Sequence, residues 1–213
     1  MTVNVDIVSR WNDRYACVDH LYGEDPNAFL RSNAHRLATG QSALCVADGD
    51  GRNGVWLAER GLAVTAFDCA ETAVAKARRL AMRRGVTGDF RVSDIFDWQW
   101  APARFDVVVG IFIQFLATED RAAVFAGMKS TLKPGGLFLL EGYRPEEVSY
   151  GTGGELDASR LYSRVWLQHE FRDWEMLELS EYDAELHEGS AHNGLSALID
   201  LVARKPASLP TAG

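Results

Sequence analysis

The sequence predicts an α/β fold: a three-layer sandwich on a mostly parallel seven-stranded sheet that finishes in an antiparallel C-terminal hairpin. Three observations predict it. Short runs dense in apolar residues at 43–48, 63–68, 89–94, 105–112 and 137–143 alternate with helix-length segments, the rhythm of parallel strands joined by helical crossovers. A glycine-rich turn, Asp48-Gly49-Asp50-Gly51-Arg52-Asn53-Gly54, follows the first run. From Glu175 to Glu188 comes one long run, then the turn-rich Gly189-Ser190-Ala191-His192-Asn193-Gly194, then a last run from Leu195 to Lys205, which together read as a hairpin closing the sheet.

At 213 residues the chain suits one domain, 1–205, too short for a nucleotide domain plus a separate catalytic one. That one domain must therefore hold every ligand. Residues 1–40 precede the first strand and are expected to form a helical lid, while 206–213 have nothing to pack against and should fray. Helical patterns cover 53–60, 70–84 and 118–131, the second begun by Ala70-Glu71-Thr72 and stopped near Gly85; crossovers of this length carry right-handed βαβ units.

Composition excludes several classes. No segment has the roughly 18 apolar residues that a membrane helix requires, and the start, MTVNVDIVSRWNDRYA, lacks the basic and apolar regions of a secretory signal. A soluble cytoplasmic protein without a membrane partner is expected. Cys17, Cys45 and Cys69 have neither the pairing of a zinc site nor the density of a disulfide scaffold, so reduced thiols and no metal are expected. The net charge of -8 disfavours nucleic acid as a partner. The basic cluster Lys76, Arg78, Arg79, Arg83 and Arg84 leaves Val74, Ala77, Leu80 and Ala81 for one helical face, and reads as a solvated outer face rather than a nucleic-acid patch. Oligomeric state is not legible; a monomer or weak dimer is assumed.

The glycine turn opens a helix where backbone N–H groups and the positive end of a dipole gather. At Gly49 and Gly51 a Cβ would block close approach of a ligand, and glycine tolerates the unusual angles of such a turn. The segment matches GxGxxG literally through Gly49, Gly51 and Gly54, so a dinucleotide is one candidate ligand. Asp68 ends the second run twenty residues after Asp48, where a carboxylate can accept from both ribose hydroxyls of either kind of cofactor. Asp94 ends the third run, positioned to accept from an adenine amino group with Ile95 against the ring; this second acid favours an adenosyl cofactor. Both acids also suit simple helix capping. Trp11 and Tyr15, four apart, suit a cofactor lid or a helix face packed on the core. Cys69 is a small residue in a tight turn, with nothing nearby in sequence to lower its pKa.

Taken together, these residues resemble the class I S-adenosylmethionine-dependent methyltransferases, which have a Rossmann-like fold, and within them the small bacterial branch near the tellurite-resistance and thiopurine methyltransferases. The resemblance runs through Trp11-Asn-Asp-Arg-Tyr15, Tyr22-Gly-Glu-Asp-Pro-Asn27, the glycine motif, Asp68, Asp94, Lys133-Pro-Gly-Gly136, Tyr150-Gly-Thr-Gly-Gly154 and Glu188-Gly-Ser-Ala-His-Asn-Gly194. It implies S-adenosyl-L-methionine as cofactor, S-adenosyl-L-homocysteine as product, and a small-molecule methyl acceptor. It also implies that Asp48 and the backbone of Gly49 and Gly51, with Arg52 and Asn53 beside them, meet the amino-acid end of the cofactor. Asp68 and Cys69 would flank the ribose, and Asp94 and Ile95 the adenine. Ile111 would reach the methionine part through its carbonyl, with Trp11 and Tyr15 folded over the cofactor. Many relatives space the first acid differently, and some have Cys-His where this chain has Ile113-Gln114.

Methyl transfer from a sulfonium needs an acceptor lone pair in line with the sulfur, in a pocket without water. A thiol or a selenium or tellurium species can arrive ionised, whereas a hydroxyl or ammonium needs a base. Ligands bind beyond the carboxyl ends of parallel strands. Glu188, His192 and Asn193 of the hairpin, Gln114, and Tyr143 and Arg144 are expected on that edge, with Glu188, His192, Gln114 and Tyr143 as catalytic candidates. His192 has an ordinary pKa of roughly 6.5 and sits in a polar turn; an exposed loop histidine without a role is the alternative. His187 should point to the opposite face. Arg144, Arg160 and Arg164 are either receptors for an acidic substrate or outer-face charges, and Tyr150 to Gly154 form a loop over the acceptor. Two other functions compete. A nicotinamide oxidoreductase would need the Tyr-x-x-x-Lys pair, and Tyr162 is followed instead by Trp166. A noncatalytic S-adenosylmethionine-binding protein would lack a shaped acceptor pocket.

Overall fold

In the computed structural model, which describes residues 5–152 and 157–207, seven strands form one sheet in the order β3-β2-β1-β4-β5-β7-β6. They are β1 (Ser42–Val46), β2 (Ala63–Asp68), β3 (Asp89–Val92), β4 (Phe105–Ile111), β5 (Leu132–Tyr143), β6 (Glu175–Glu188) and β7 (His192–Arg204). β1 to β5 pair in parallel, and β7 runs antiparallel to both β5 and β6. β6 is therefore parallel to β5, and the hairpin turn falls at the carboxyl edge of the parallel strands.

Side-chain alternation across the sheet makes the three layers. Val108, Phe138, Leu140 and Leu201 face a core that also holds Val124, Phe125 and Met128 of α5 (Thr118–Thr131), Leu167 of α7 (Arg164–Glu170) and Phe171 just after it. Their neighbours Val107, Val109, Leu139 and Val202 face the other way, onto Phe29 and Leu30 of α2 (Ala28–Ser32), Val55 and Leu57 of α3 (Arg52–Glu59), and Val74, Ala77 and Leu80 of α4 (Glu71–Arg84). This period of two, buried on both faces, is what a doubly covered parallel sheet demands.

Before β1 lie α1 (Val5–Ala16), α2 and a short 3-10 helix at Asn33–Arg36, the helical N-terminal region that was expected; residues 1–4 fall outside the described residues. α6 (Glu147–Tyr150) and a 3-10 turn at Ala158–Arg160 lie between β5 and α7. Their brevity leaves too little periodicity to predict them. Gly153 and Gly154 of the expected acceptor loop, and residues 208–213 of the tail, also fall outside the described residues.

Several expectations need correction. β3 stops at Val92 and the chain leaves the sheet before Asp94. β7 begins at His192, three residues ahead of the expected Leu195, because the hairpin pairing runs down to Glu188 opposite His192. Four of the five basic residues of α4, Arg78, Arg79, Arg83 and Arg84, are exposed as expected, while Lys76 is half-buried, and several of them also have partners. Lys76 donates to the carbonyls of Tyr15 and Val18, Arg78 to that of Phe90 at 3.0 Å through Nε, and Arg83 and Arg84 both pair with Glu24. The cluster holds the N-terminal segment onto α4. Among the described residues no helix is long and apolar enough to cross a membrane.

That segment is latched at its other end by the hairpin. Ser190 N–H donates to Leu21 O at 3.1 Å, and Gly189 sits at φ +62° where a Cβ would collide with Leu21 O and lie 2.7 Å from Gly23 N. Both neighbours are backbone and have little room to give. Gly189→Ala is expected to cost about 1–3 kcal/mol, which for a chain this size lowers Tm by roughly 2–4 °C per kcal/mol. Calorimetry checks it, and an unchanged Tm would mean that the segment is not held by the turn.

Candidate functional site

The carboxyl ends of the parallel strands open onto a cavity of about 430 Å³, a size suited to a small ligand. Its floor is the turn after β1. There Ala47, Gly49 and Gly51 all have positive φ, of 49°, 59° and 90°, and α3 starts at Arg52. The glycines are needed for reasons the sequence did not disclose. A Cβ at Gly49 would strike the Tyr15 hydroxyl, and one at Gly51 would come within 2.5 Å of Ala77 Cβ in α4. At Gly54 it would come within 2.5 Å of Asp48 Oδ2. Close packing by protein groups already excludes larger residues here.

The strand-end acids surround this turn and line the cavity. Gly54 N–H donates to both Asp48 oxygens at 3.2 Å, and burial pushes the Asp48 carboxyl up to about 8. Asp68 accepts from Gly49 N–H through Oδ2 and from Ala70 N–H through Oδ1, each at 2.9 Å, and burial raises it to about 6. Asp94 accepts from Phe96 N–H at 2.9 Å. All three thus close local turns, yet a carboxylate has about four lone-pair sites, so each can still accept from a ligand. Cys69 lines the cavity with its thiol pushed up to about 12 by burial and the adjacent Asp68, which makes it no nucleophile. Ile95, Ile111, Arg52 and Asn53 also line it, as do Trp11 and Tyr15 of α1. The two aromatic rings lie 5.9 Å apart. Tyr15 is both lid and core, being 4 % exposed.

Of the four catalytic candidates, His192 alone lines the cavity. It is not a loop residue: it is 6 % exposed, with ring centroids of Tyr22 and Phe112 each 4.4 Å away and Tyr143 at 5.8 Å. Burial lowers its pKa, opposed by a hydrogen bond to Glu188. Glu188 sits behind it. Its Oε2 accepts from Arg52 Nη2 at 2.8 Å and faces His192 Nδ1 at 3.4 Å, while Oε1 accepts from Asn27 Nδ2 at 3.2 Å. Burial alone would raise the Glu188 carboxyl, but the His192 hydrogen bond and the Arg52 charge outweigh it and hold the group at about 2. So weak a base cannot take a proton from an acceptor. Gln114 is spent on the backbone of Tyr143, donating to its O and accepting from its N at 2.6 Å each. Among the described residues the buried Tyr143 hydroxyl has no hydrogen-bond partner, and its ring packs on Phe112 at 4.7 Å; burial drives its pKa far above the usual phenol range.

The remaining expectations divide. Asn193 is exposed and faces His187 Nδ1 at 3.3 Å, away from the cavity. Arg144 pairs with Asp183 and with Glu146 at 3.4 Å, and Arg164 with Glu181 at 2.7 Å, so these two are outer-face charges; Arg160 reaches the cavity. Tyr22 and Phe112 were missed. Tyr22 lay in a quoted motif without an assigned role, and Phe112, at φ 54°, carries no signal in the sequence. Asp50, 1 % exposed and accepting from Leu21 N–H at 3.1 Å, also ties the N-terminal segment to the glycine turn. Glu141 and Asp200, opposite one another across β5 and β7, are buried too. Burial and each other's charge push Glu141 well up, and burial pushes Asp200 to about 7.

These shifts fix how stability depends on pH. Asp48, Asp68 and Asp200, raised to about 8, about 6 and about 7, bind protons in the folded protein at pH values where the unfolded chain has lost them. The ligand-free protein should therefore lose stability as pH rises from about 5 to 8. Glu188, depressed to about 2, acts the other way, contributing above the ordinary glutamate range and losing its contribution only as pH falls toward 2. Urea unfolding at pH 5.5, 7 and 8.5 should show a decline of a few kcal/mol, reduced in Asp48→Asn; a stability that rises across this range would contradict the assignment.

With this geometry in hand, comparisons with known proteins are informative. Residues 43–136, from β1 to the start of β5, match the family model described as a methyltransferase domain. A ubiquinone biosynthesis O-methyltransferase from Azotobacter vinelandii (strain DJ / ATCC BAA-1303) is 33% identical over 132 residues, 61% of this chain and 56% of that protein. The chain thus spans little more than half the length of this relative. TehB from Haemophilus influenzae superposes with a TM-score of 0.70 at 22% identity, over 84% of this chain and 62% of that one. Magnesium protoporphyrin IX methyltransferase from Synechocystis PCC 6803, solved with bound S-adenosylhomocysteine, does so with a TM-score of 0.62 at 14% identity, over 96% and 89%. At such identities a structural likeness speaks for the fold alone, and the chain has the Rossmann-like methyltransferase fold, its matched segment carrying the glycine turn and the acids Asp68 and Asp94.

Proposed function

We propose that the protein is an S-adenosylmethionine-dependent methyltransferase acting on a small molecule, with cofactor and acceptor held by one domain over residues 1–205. The observation that carries this reading is the acidic rim of the cavity: Asp48, Asp68 and Asp94 line it around a glycine turn, and Asp50 lies buried beside them. A sulfonium with an ammonium group is a cation and suits these carboxylates. The pyrophosphate of a dinucleotide would meet them as like charge, which speaks against the nicotinamide alternative.

Asp68 takes the ribose, Asp94 and Ile95 the adenine, and the turn from Asp48 to Asn53 the amino-acid end, with Ile111 beneath and Trp11 and Tyr15 above. The bound cofactor supplies an electrophilic methyl group. The chain's own part is to orient an acceptor against that group and to exclude water, for which Phe112, Phe115 and Leu116 provide an apolar wall. That wall speaks against a purely cofactor-binding, noncatalytic protein. The acceptor is a thiol, a selenium or tellurium species, or a hydroxyl compound; the likeness to a ubiquinone biosynthesis O-methyltransferase supports a small molecule. The branch near the tellurite-resistance and thiopurine enzymes rests on the motifs Trp11 to Tyr15 and Glu188 to Gly194. A monomer or weak dimer working in the cytoplasm, with neither nucleic acid nor membrane as partner, completes the proposal.

Isothermal titration tests it. S-adenosylmethionine and S-adenosylhomocysteine should bind with micromolar affinity and NADH should not. Loss of hydrogen bonds to a charged group should weaken binding in Asp68→Ala by roughly 10-fold or more. Binding of NADH in place of the sulfur ligands would sink the proposal.

A further inference from the structure

Three side chains from distant parts of the chain meet at one wall of the cavity: Arg52 at the start of α3 and His192 at the start of β7 line it, and Glu188 at the end of β6 sits behind them. Arg52 Nη2 and His192 Nδ1 share one oxygen of Glu188, at 2.8 and 3.4 Å. The Arg52 charge and the His192 hydrogen bond keep that carboxylate ionised, so it can only accept, and a neutral imidazole facing it carries its one proton on Nδ1. The lone pair is then left on Nε2. Among the described residues Nε2 has no hydrogen-bond partner and is not sealed off, and the residue lines the cavity. The ring cannot readily turn, because Tyr22 and Phe112 hold it with centroids 4.4 Å away. Phe112 does so from a left-handed backbone, φ 54°, a conformation that is strained for a bulky residue and clusters at functional sites.

We infer that the acceptor is a flat, apolar molecule bearing a weakly acidic hydroxyl, a phenol or enol, that His192 takes its proton at Nε2, and that Glu188 is the positioning residue that fixes the tautomer. The inference rests on the methyl-transfer reading. The hydroxyl is argued from the pattern of proton acceptors: a hydroxyl must lose its proton to a base such as this imidazole, whereas a thiol or selenide, being more acidic, can arrive ionised and depends on one less. The flat apolar body is argued from Trp11, Phe112, Phe115 and Leu116, which line the cavity with His192.

In the step, the acceptor hydroxyl passes its proton to Nε2 while its oxygen forms the bond to the methyl carbon. The carbon–sulfur bond breaks with its electron pair on sulfur, and the imidazolium afterwards yields its proton to solvent. Burial keeps His192 below the ordinary histidine range against the pull of Glu188, with Arg52 and Arg14 adding to the lowering, so the ring is neutral and ready to accept at pH 7.

The test is a long-range proton–nitrogen spectrum of the ¹⁵N-labelled protein, with His192 assigned by its loss in His192→Gln. At pH 7.5 the ligand-free wild type should show Nδ1 protonated and Nε2 bare, and Glu188→Ala should move the ring toward the Nε2–H form. Adding phenol to the S-adenosylhomocysteine-bound protein should shift the Nε2 resonance, and toluene, which lacks the hydroxyl, should not. An Nε2–H tautomer in the wild type, or a phenol response no greater than that of toluene, overturns the inference. So does an unchanged tautomer in Glu188→Ala, for the positioning role. Because the tautomer is read without any ligand, failure of S-adenosylhomocysteine to bind in calorimetry would instead count against the methyl-transfer reading.

Discussion

The ion pair between Arg52 and Glu188 is the contact on which the rest of the site depends. It joins the helix after the glycine turn to the last residue of β6, and both partners are largely withdrawn from solvent, with side chains 6% and 12% exposed. Taking two charges out of water costs several kcal/mol per ion, and such a pair repays it only when the remaining lone pairs and protons are also satisfied. Here they are: Arg52 Nη1 donates to Tyr22 O at 3.2 Å, and the other oxygen of Glu188 accepts from Asn27. Asn27 in turn donates through Nδ2 to Glu141 at 3.0 Å and through its backbone N–H to Asn53 Oδ1 at 2.9 Å. The N-terminal segment, the cofactor turn and the hairpin are therefore one polar network. A hydrophobic replacement could match the stability of such a pair but could not set three elements at fixed distances.

How much of this could be read from the chain alone follows from the range of each interaction. The sheet was legible because burial on both faces leaves apolar runs at β1, β2, β4 and β5, and because the glycine turn marks where β1 ends. Asp68 was legible as a strand-end acid. Asp94 was placed correctly at the cavity but wrongly in the sheet, since the Asx turn that it makes with Phe96 ends β3 two residues earlier. His192 was expected at the cavity, but its burial was hidden for a different reason. Its sequence neighbours are small and polar and spell an exposed turn, whereas its surroundings, Tyr22, Phe112 and Tyr143, come from 49 or more residues away. No local pattern encodes them.

The same limit hid the acids of the inner sheet. Glu141 sits in an otherwise apolar run, and only the register that sets it opposite Asp200 shows that two carboxyls share one buried site, where like charges resist ionising together. The partners of the α4 cations were hidden in the converse way. The helical spacing of the cations was read correctly, but the partners that consume their charge, the carbonyls of Tyr15 and Val18 and the carboxylate of Glu24, belong to a segment whose path over α4 the spacing does not reveal.

The carboxyls that ring the cavity have one consequence for its thermodynamics. Near neutral pH Asp48, raised to about 8, is mostly protonated in the empty protein, and a cation entering beside it favours the ionised form. Occupation of the cavity is then accompanied by release of a fraction of a proton to the medium. The heat of binding must accordingly change with the ionisation enthalpy of the buffer, and affinity must strengthen with rising pH even though the empty fold weakens. Ligand and proton compete for the same carboxylate, so the protein is most receptive where, unoccupied, it is least stable.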